Sequence, residues 1–125
     1  MLGSTNIVAF IPIKDSEKSR AFYERVLGLR FVKDDGFALV FDANGIMVRA
    51  AKMKDFTPAQ FTVLGWQVSN IESVVRDLSG KGLHFEIFGF FKQDQLGIWT
   101  APTGDKVAWF KDPDGNILSV SQHVD

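Results

Sequence analysis

Cysteine is absent from this chain, and with it go disulfide bonds, thiolate metal sites and cysteine nucleophiles. Charge of one sign is equally scarce. The 14 Lys and Arg against 15 Asp and Glu leave a net charge of −1, which gives no electrostatic footprint for nucleic acid or another polyanion. Charged residues make up 23% of the chain and form no like-charge block, so acidic or basic disordered tails are not expected. No apolar run approaches the ~20 residues that span a bilayer, which removes the membrane as a partner. Met1-Leu2-Gly3-Ser4-Thr5 lacks the basic region and apolar stretch of a signal peptide. With the missing cysteine, this predicts a cytoplasmic protein. Tyr is limited to one residue, whereas there are twelve Phe and three Trp. That is more Phe than a small core needs, so some are expected to line a cavity or an interface.

At 125 residues the chain has the length of one domain. Asn6 to Ile13 is a short β-branched run and reads as a strand. Asp15 or Ser16 caps a helix whose apolar stripe is Ala21, Phe22, Val26 and Leu27, closed by Gly28. Leu29 to Lys33, Phe37 to Phe41 and Ile46 to Ala51 then read as strands. They are separated by the turns Asp34-Asp35-Gly36 and Asp42-Ala43-Asn44-Gly45. After a polar connector carrying Pro58, Thr62 to Val68 is a strand, and Asn70 caps a helix with Ile71, Val74, Val75 and Leu78 at helical spacing. Leu83 to Phe88, Gly97 to Thr100, Lys106 to Lys111 and Ile117 to Gln122 are further strand candidates. Asp112-Pro113-Asp114-Gly115 joins the last two as a tight turn.

Both halves therefore read β-α-β-β-β, and the repeat is visible residue by residue. The caps Asp15 and Asn70 are 55 residues apart, Leu29-Arg30-Phe31 and Leu83-His84-Phe85 are 54 apart, and the two Asp-initiated turns are 70 apart. The difference places a 16-residue insertion between Glu86 and Asp105 that holds Phe88, Phe90, Phe91 and Trp99. The reading is α+β: one domain of two tandem βαβββ modules, about 5–51 and 62–123. They form a curved, cavity-enclosing mixed sheet with the helices on its convex side. Alternation turns Ile11 and Ile13 toward the first helix and Val8, Phe10 and Pro12 inward. It likewise turns Leu64 and Trp66 toward the second helix and Val63, Gly65 and Gln67 inward.

On Asp15-Ser16-Glu17-Lys18-Ser19-Arg20-Ala21-Phe22-Tyr23, Val26-Leu27-Gly28-Leu29, Gly104-Asp105-Lys106-Val107 and Phe110 to Asn116, the chain resembles the vicinal oxygen chelate superfamily. That superfamily includes glyoxalase I, extradiol dioxygenases and bleomycin-resistance proteins. The resemblance implies a metal site with a His on the first strand of each module, seven residues before the helix cap, and a Glu or His on each last strand. Those positions hold Val8 and Val63, and Ser119 stands seven residues after Asp112. The internal repeat gives Val48, within one residue, as the first-half counterpart of Ser119. Valine has no lone pair and a single neutral hydroxyl is a weak ligand, so no metal and no cofactor is expected.

The candidate ligand-binding residues are thus Val8, Phe10, Val48, Val63, Gln67, Phe91, Trp99 and Ser119. Gln67 offers a donor and an acceptor together. Arg49 and Lys52 read as a solvated strand end, His84 and Glu86 as an exposed strand pair, and His123 as solvated near the chain end. No catalytic residue is assigned, and no Ser-His-Asp grouping is expected. The favoured function is metal-independent binding of an aromatic or amphipathic small molecule, including antibiotics, by a homodimer. The alternatives are a lyase- or isomerase-like enzyme using non-metal cavity groups and a dimeric interaction domain without ligand.

Overall fold

The computed structural model describes residues 1–124. The chain divides into two compact units, Met1–Thr57 and the segment from Pro58 onward. Each carries a four-stranded mixed sheet, so the α+β architecture of two βαβββ modules is realised as two open sheets.

The first unit runs β1 (Val8–Ile13), α1 (Ser16–Ala21), β2 (Arg30–Asp34), β3 (Ala38–Ala43) and β4 (Ile46–Lys52), with spatial order β1-β4-β3-β2. The Asp15 carboxylate accepts from the Lys18 N–H and caps α1. The helix then widens into a π-turn over Phe22–Val26, where the Leu27 N–H reaches the Phe22 carbonyl. β3 and β4 form a two-residue hairpin at Asn44-Gly45, both at positive φ, the conformation Asn-Gly supplies at little steric cost.

Burial separates the faces of this sheet. Ile11, Ile13, Ala50 and Phe41 are fully or almost fully buried, and Phe41 packs against Tyr23 from the helix side. Val8, Phe10 and Met47 lie on the other face and are exposed.

The second unit runs β5 (Thr62–Gln67), α2 (Ile71–Gly80), β6 (Trp99–Thr100), β7 (Lys106–Lys111) and β8 (Ile117–Gln122), in order β5-β8-β7-β6. The Asn70 side chain accepts from the Ser73 N–H and caps α2. Leu118, Val120, Ala108 and Phe110 form the buried side of the sheet, and Trp66 stacks on Phe110. The 112–116 turn is held by the Asp112 carboxylate, which accepts from the N–H groups of Asp114 and Asn116.

One expected strand is not formed. Leu83 to Phe88 contributes only an isolated bridge, Phe85 to Phe110. The reason lies in Gln93, whose carboxamide accepts from the Phe88 N–H and donates to the carbonyls of Glu86 and Gly97. A side-chain amide thus supplies hydrogen bonds that a neighbouring strand would otherwise make.

Candidate ligand-binding site

The open face of the second sheet is built in rows by its register. Thr62, Ile117 and Lys111 form one row, Gly65, Ser119 and Trp109 the next, and Gln67, Ser121, Val107 and Trp99 the third. Over the first two rows lies a groove of about 610 Å³, lined by Gln60, Phe61, Thr62, Phe88, Phe90, Phe91, Trp109, Lys111 and Ile117. Its floor is aromatic. The Phe91 ring lies parallel to Trp109, with centroids 5.0 Å apart and planes 4° apart, and also touches Trp99 at 4.7 Å. Phe88 meets Trp109 edge-on at 5.4 Å. The Trp109 indole N–H donates to the Thr62 hydroxyl at 3.1 Å, so the ring plane is fixed at both its face and its edge.

The insertion that supplies Phe88, Phe90 and Phe91 is held by its own polar side chains. Gln93 fastens one end as described, and the Asp94 carboxylate accepts from the N–H groups of Leu96 and Ile98. The groove is polar only at its rim, at Gln60, Thr62 and Lys111. The Lys111 ammonium stands 3.8 Å from the Glu86 carboxylate and half-exposed, which leaves it able to meet an anionic or carbonyl group of a ligand. Such a site can bury a planar apolar body and contact one polar substituent.

The residues expected from the sequence fall in different places. Phe91 and Trp99 join the aromatic cluster. Ser119 sits on the open face and is largely buried; a Cβ on Gly65 would lie 2.8 Å from its Oγ. Gln67 is exposed on the same face. Val63 falls where the β5–β8 register slips between Thr62 and Leu64, so simple alternation does not carry through it. Val8 and Phe10 lie on the open face of the first sheet, in a different unit from the aromatic groove.

Val48 corrects an expectation. It is 2% exposed and pairs with Phe41 on the helix side. The residue that occupies the place of Ser119 in the first unit is Arg49, since Phe10 pairs with Arg49 as Gly65 pairs with Ser119. The 70-residue spacing of the two Asp-initiated turns leads from Ser119 to the same Arg49, which lies within the one-residue margin given for Val48.

Arg49 is not a solvated strand end either. Its guanidinium donates to Asp35 at 2.6 Å, and Lys52 pairs with Asp34 at 2.8 Å. Arg49 and the backbone N–H groups of Phe37 and Ala38 hold the Asp35 carboxyl well below the usual carboxylate range. On the first sheet Val8 and Arg49 present a hydrocarbon and a cation, and on the second Val63 and Ser119 present a hydrocarbon and one hydroxyl; neither pair has the chemistry of divalent-metal ligands. Among the described residues, no group of three or more His, Asp or Glu is arranged to hold one.

His123 is exposed, as expected, but it is not without partners. Its Nε2 lies 2.8 Å from the Ser121 hydroxyl and its Nδ1 3.3 Å from the Asp105 carboxylate. A Ser-His-Asp grouping therefore exists. Its signal in the sequence is the register of the last hairpin: once Trp109 faces Ser119, Asp105 must face His123. His84 is exposed, and Glu86 turns to Lys111.

Comparison with known proteins agrees with this architecture. A curated relative, a probable trivalent organoarsenical cleaving enzyme from Bacillus subtilis (strain 168), is 28% identical over 102 residues, 80% of this chain and 67% of the relative. The structure of a bleomycin-binding protein complexed with bleomycin superposes with a TM-score of 0.74 at 20% identity, covering 97% of this chain and all of the other. Lactoylglutathione lyase from Agrobacterium tumefaciens superposes with a TM-score of 0.73 at 17% identity, covering 95% of this chain and 93% of the other. At these identities the two structures speak for the fold alone. The family model for the Glyoxalase/Bleomycin resistance protein/Dioxygenase superfamily matches residues 6–120, and the chain belongs to that superfamily.

Proposed function

We propose that this chain is a cytoplasmic, metal-independent binding protein for a planar aromatic or amphipathic small molecule, held in the groove of the second unit. The observation that carries this reading is the aromatic floor of Phe91 and Trp109 beside a rim lysine. Aromatic contacts of this kind contribute roughly 0.5–1.5 kcal/mol each beyond area burial. A protein of the same fold that binds bleomycin supports a small-molecule ligand. We further assign the exposed apolar strip of the first sheet, Val8, Phe10 and Met47, to self-association as a homodimer.

The test is a thermal-shift and tryptophan-fluorescence titration against bleomycin, planar aromatic carboxylates and a trivalent organoarsenical. A ligand at 100 times its Kd raises stability by about 2.7 kcal/mol, and its ring should quench emission from Trp109. Phe91→Ala should weaken binding about tenfold or more while leaving the fold intact. A flat response to every compound, or equal binding by the Phe91 variant, overturns the assignment of the groove. Consumption of a compound during the titration favours the enzymatic alternative instead.

A further inference from the structure

The third row of the open face carries chemistry that the groove does not use. Ser121 and His123 project to the same side of the last strand because they are two residues apart. Asp105 precedes β7, and the antiparallel register that pairs Lys106 with Gln122 and Val107 with Ser121 sets it opposite His123. The Asp105 carboxylate is anchored on both oxygens, Oδ1 accepting from the Val124 N–H at 2.8 Å and Oδ2 facing His123 Nδ1 at 3.3 Å. A further bond, from the Ala101 N–H to the Asp105 carbonyl at 2.7 Å, ties down its backbone.

These contacts fix the direction of the proton chain. The Val124 N–H and then His123 hold the Asp105 carboxyl below its ordinary range, so it is ionised at neutral pH and can only accept. In the neutral imidazole, Nδ1 therefore carries the proton that points to Asp105. The lone pair of Nε2 then faces Ser121, and the hydroxyl donates to it at 2.8 Å. This is the order of roles that a serine nucleophile requires: hydroxyl, base, and a carboxylate orienting the base. Gln67 is the direct register partner of Ser121 on β5 and shares its face. Its carboxamide makes no hydrogen bond among the described residues, which leaves an N–H donor free on the same row as Ser121 for a developing oxyanion. Trp99 stands on the same row beyond Val107.

We propose that Ser121, His123, Asp105 and Gln67 form an acyl-transfer site for small aryl esters. The Ser121 oxygen adds to the ester carbonyl while its proton passes to His123 Nε2, and Gln67 donates to the carbonyl oxygen. Collapse breaks the acyl–oxygen bond, and the phenolate leaves with the proton from His123. Water then adds to the acyl-serine, giving up a proton to His123. The carboxylic acid departs, and the serine oxygen recovers the proton. Ester and water are consumed, and phenol and acid are formed. The aryl class follows from the site's exposure: His123 is 48% and Asp105 31% exposed, so a stable leaving group must supply part of what a closed pocket would. Its ring is the part that Trp99 can contact.

The test uses the full chain with p-nitrophenyl acetate and, separately, a fluorophosphonate that labels activated serines. The site predicts a single adduct on the peptide containing Ser121 and saturable ester hydrolysis. Ser121→Ala should lower that rate at least about tenfold and abolish the adduct, with the thermal midpoint unchanged. Ser121→Cys should restore a covalent acyl intermediate detectable by mass, which separates loss of the nucleophile from loss of the fold. No adduct on Ser121 overturns the proposal. So does a Ser121→Ala variant that hydrolyses the ester as fast as the parent, because His123 would then be acting alone as an imidazole.

Discussion

Ser119 and Gly65 act as a pair. Ser119 stands on the open face with Trp109 on one side and Gly65 on the other. A side chain at Gly65 has no free space, since its Cβ would come within 2.8 Å of the serine oxygen and 3.4 Å of the serine carbonyl. Glycine in a strand interior ordinarily weakens it, because the unfolded chain has more freedom to lose. Gly65→Ala should nevertheless destabilise the protein by about 1–3 kcal/mol, the usual penalty for overpacking, unless Ser119 turns away. The double variant Gly65→Ala with Ser119→Ala removes the obstructing oxygen. It should recover most of the loss, or exceed the parent by a few tenths of a kcal/mol. Urea denaturation of the four proteins of this cycle checks it, and an additive result would show that the two positions do not contact. Chemically, this strand position offers one hydroxyl next to Trp109 and no carboxylate, which is poor provision for a divalent metal.

At the scale of elements, charge holds the β2–β3 hairpin to β4. Asp35 accepts from the N–H groups of Phe37 and Ala38 in the turn and from Arg49 on β4. Asp34 pairs with Lys52 on the same strand. Because the folded-state pKa of Asp35 is lowered, its ionised form is favoured in the native state. That contribution is complete above the unfolded value of about 3.9 and fades as pH falls toward the folded value. Asp35→Asn should therefore lower the denaturation midpoint at pH 7, and the gap to the parent should narrow below about pH 4. Parallel urea titrations at pH 7 and pH 3 measure it, and a gap that stays constant with pH would exclude the ionised carboxylate as its source.

Much of this element layer was legible in the sequence. Asp15 and Asn70 announced both helices, since a side-chain acceptor must meet the orphan N–H groups of a first turn. Asn44-Gly45 and Asp112 to Asn116 announced the hairpins. What could not be read was the fate of Leu83 to Phe88, because Gln93, five residues beyond its end, takes the place of a strand. The counterpart of Ser119 was within reach, since the 70-residue spacing of the Asp-initiated turns leads to Arg49, one residue from the expected Val48. The Ser121–His123–Asp105 row was within reach of register reasoning. His123 is solvent-exposed, as its place near the end of the chain suggests, and its partner Asp105 emerges only when the cross-strand register is counted out.

For the whole molecule, the telling feature is what the first sheet leaves uncovered. A half-exposed mixed sheet is expected to alternate between apolar and polar faces, and Ile11, Ile13, Val48 and Ala50 duly fill the buried one. Yet the outer face presents Val8, Phe10 and Met47, with Phe10 64% exposed. Val8 and Met47 are register partners, and Phe10 follows two residues on, so the three form one strip rather than scattered residues. A contiguous apolar strip on an ordered strand marks an interaction surface, and closed symmetric pairing of identical chains is the commonest way to cover one.

The homodimer assigned above therefore predicts that the parent protein sediments as a dimer. Phe10→Lys places a charge on the most exposed residue of the strip, where an unpaired buried cation would cost several kcal/mol. The substitution should shift the population to monomer without unfolding a side chain that already faces solvent. Sedimentation velocity of the two proteins at matched concentration, with circular dichroism as the check on folding, decides it. A parent that is monomeric throughout, or a variant that remains dimeric, would move the interface elsewhere.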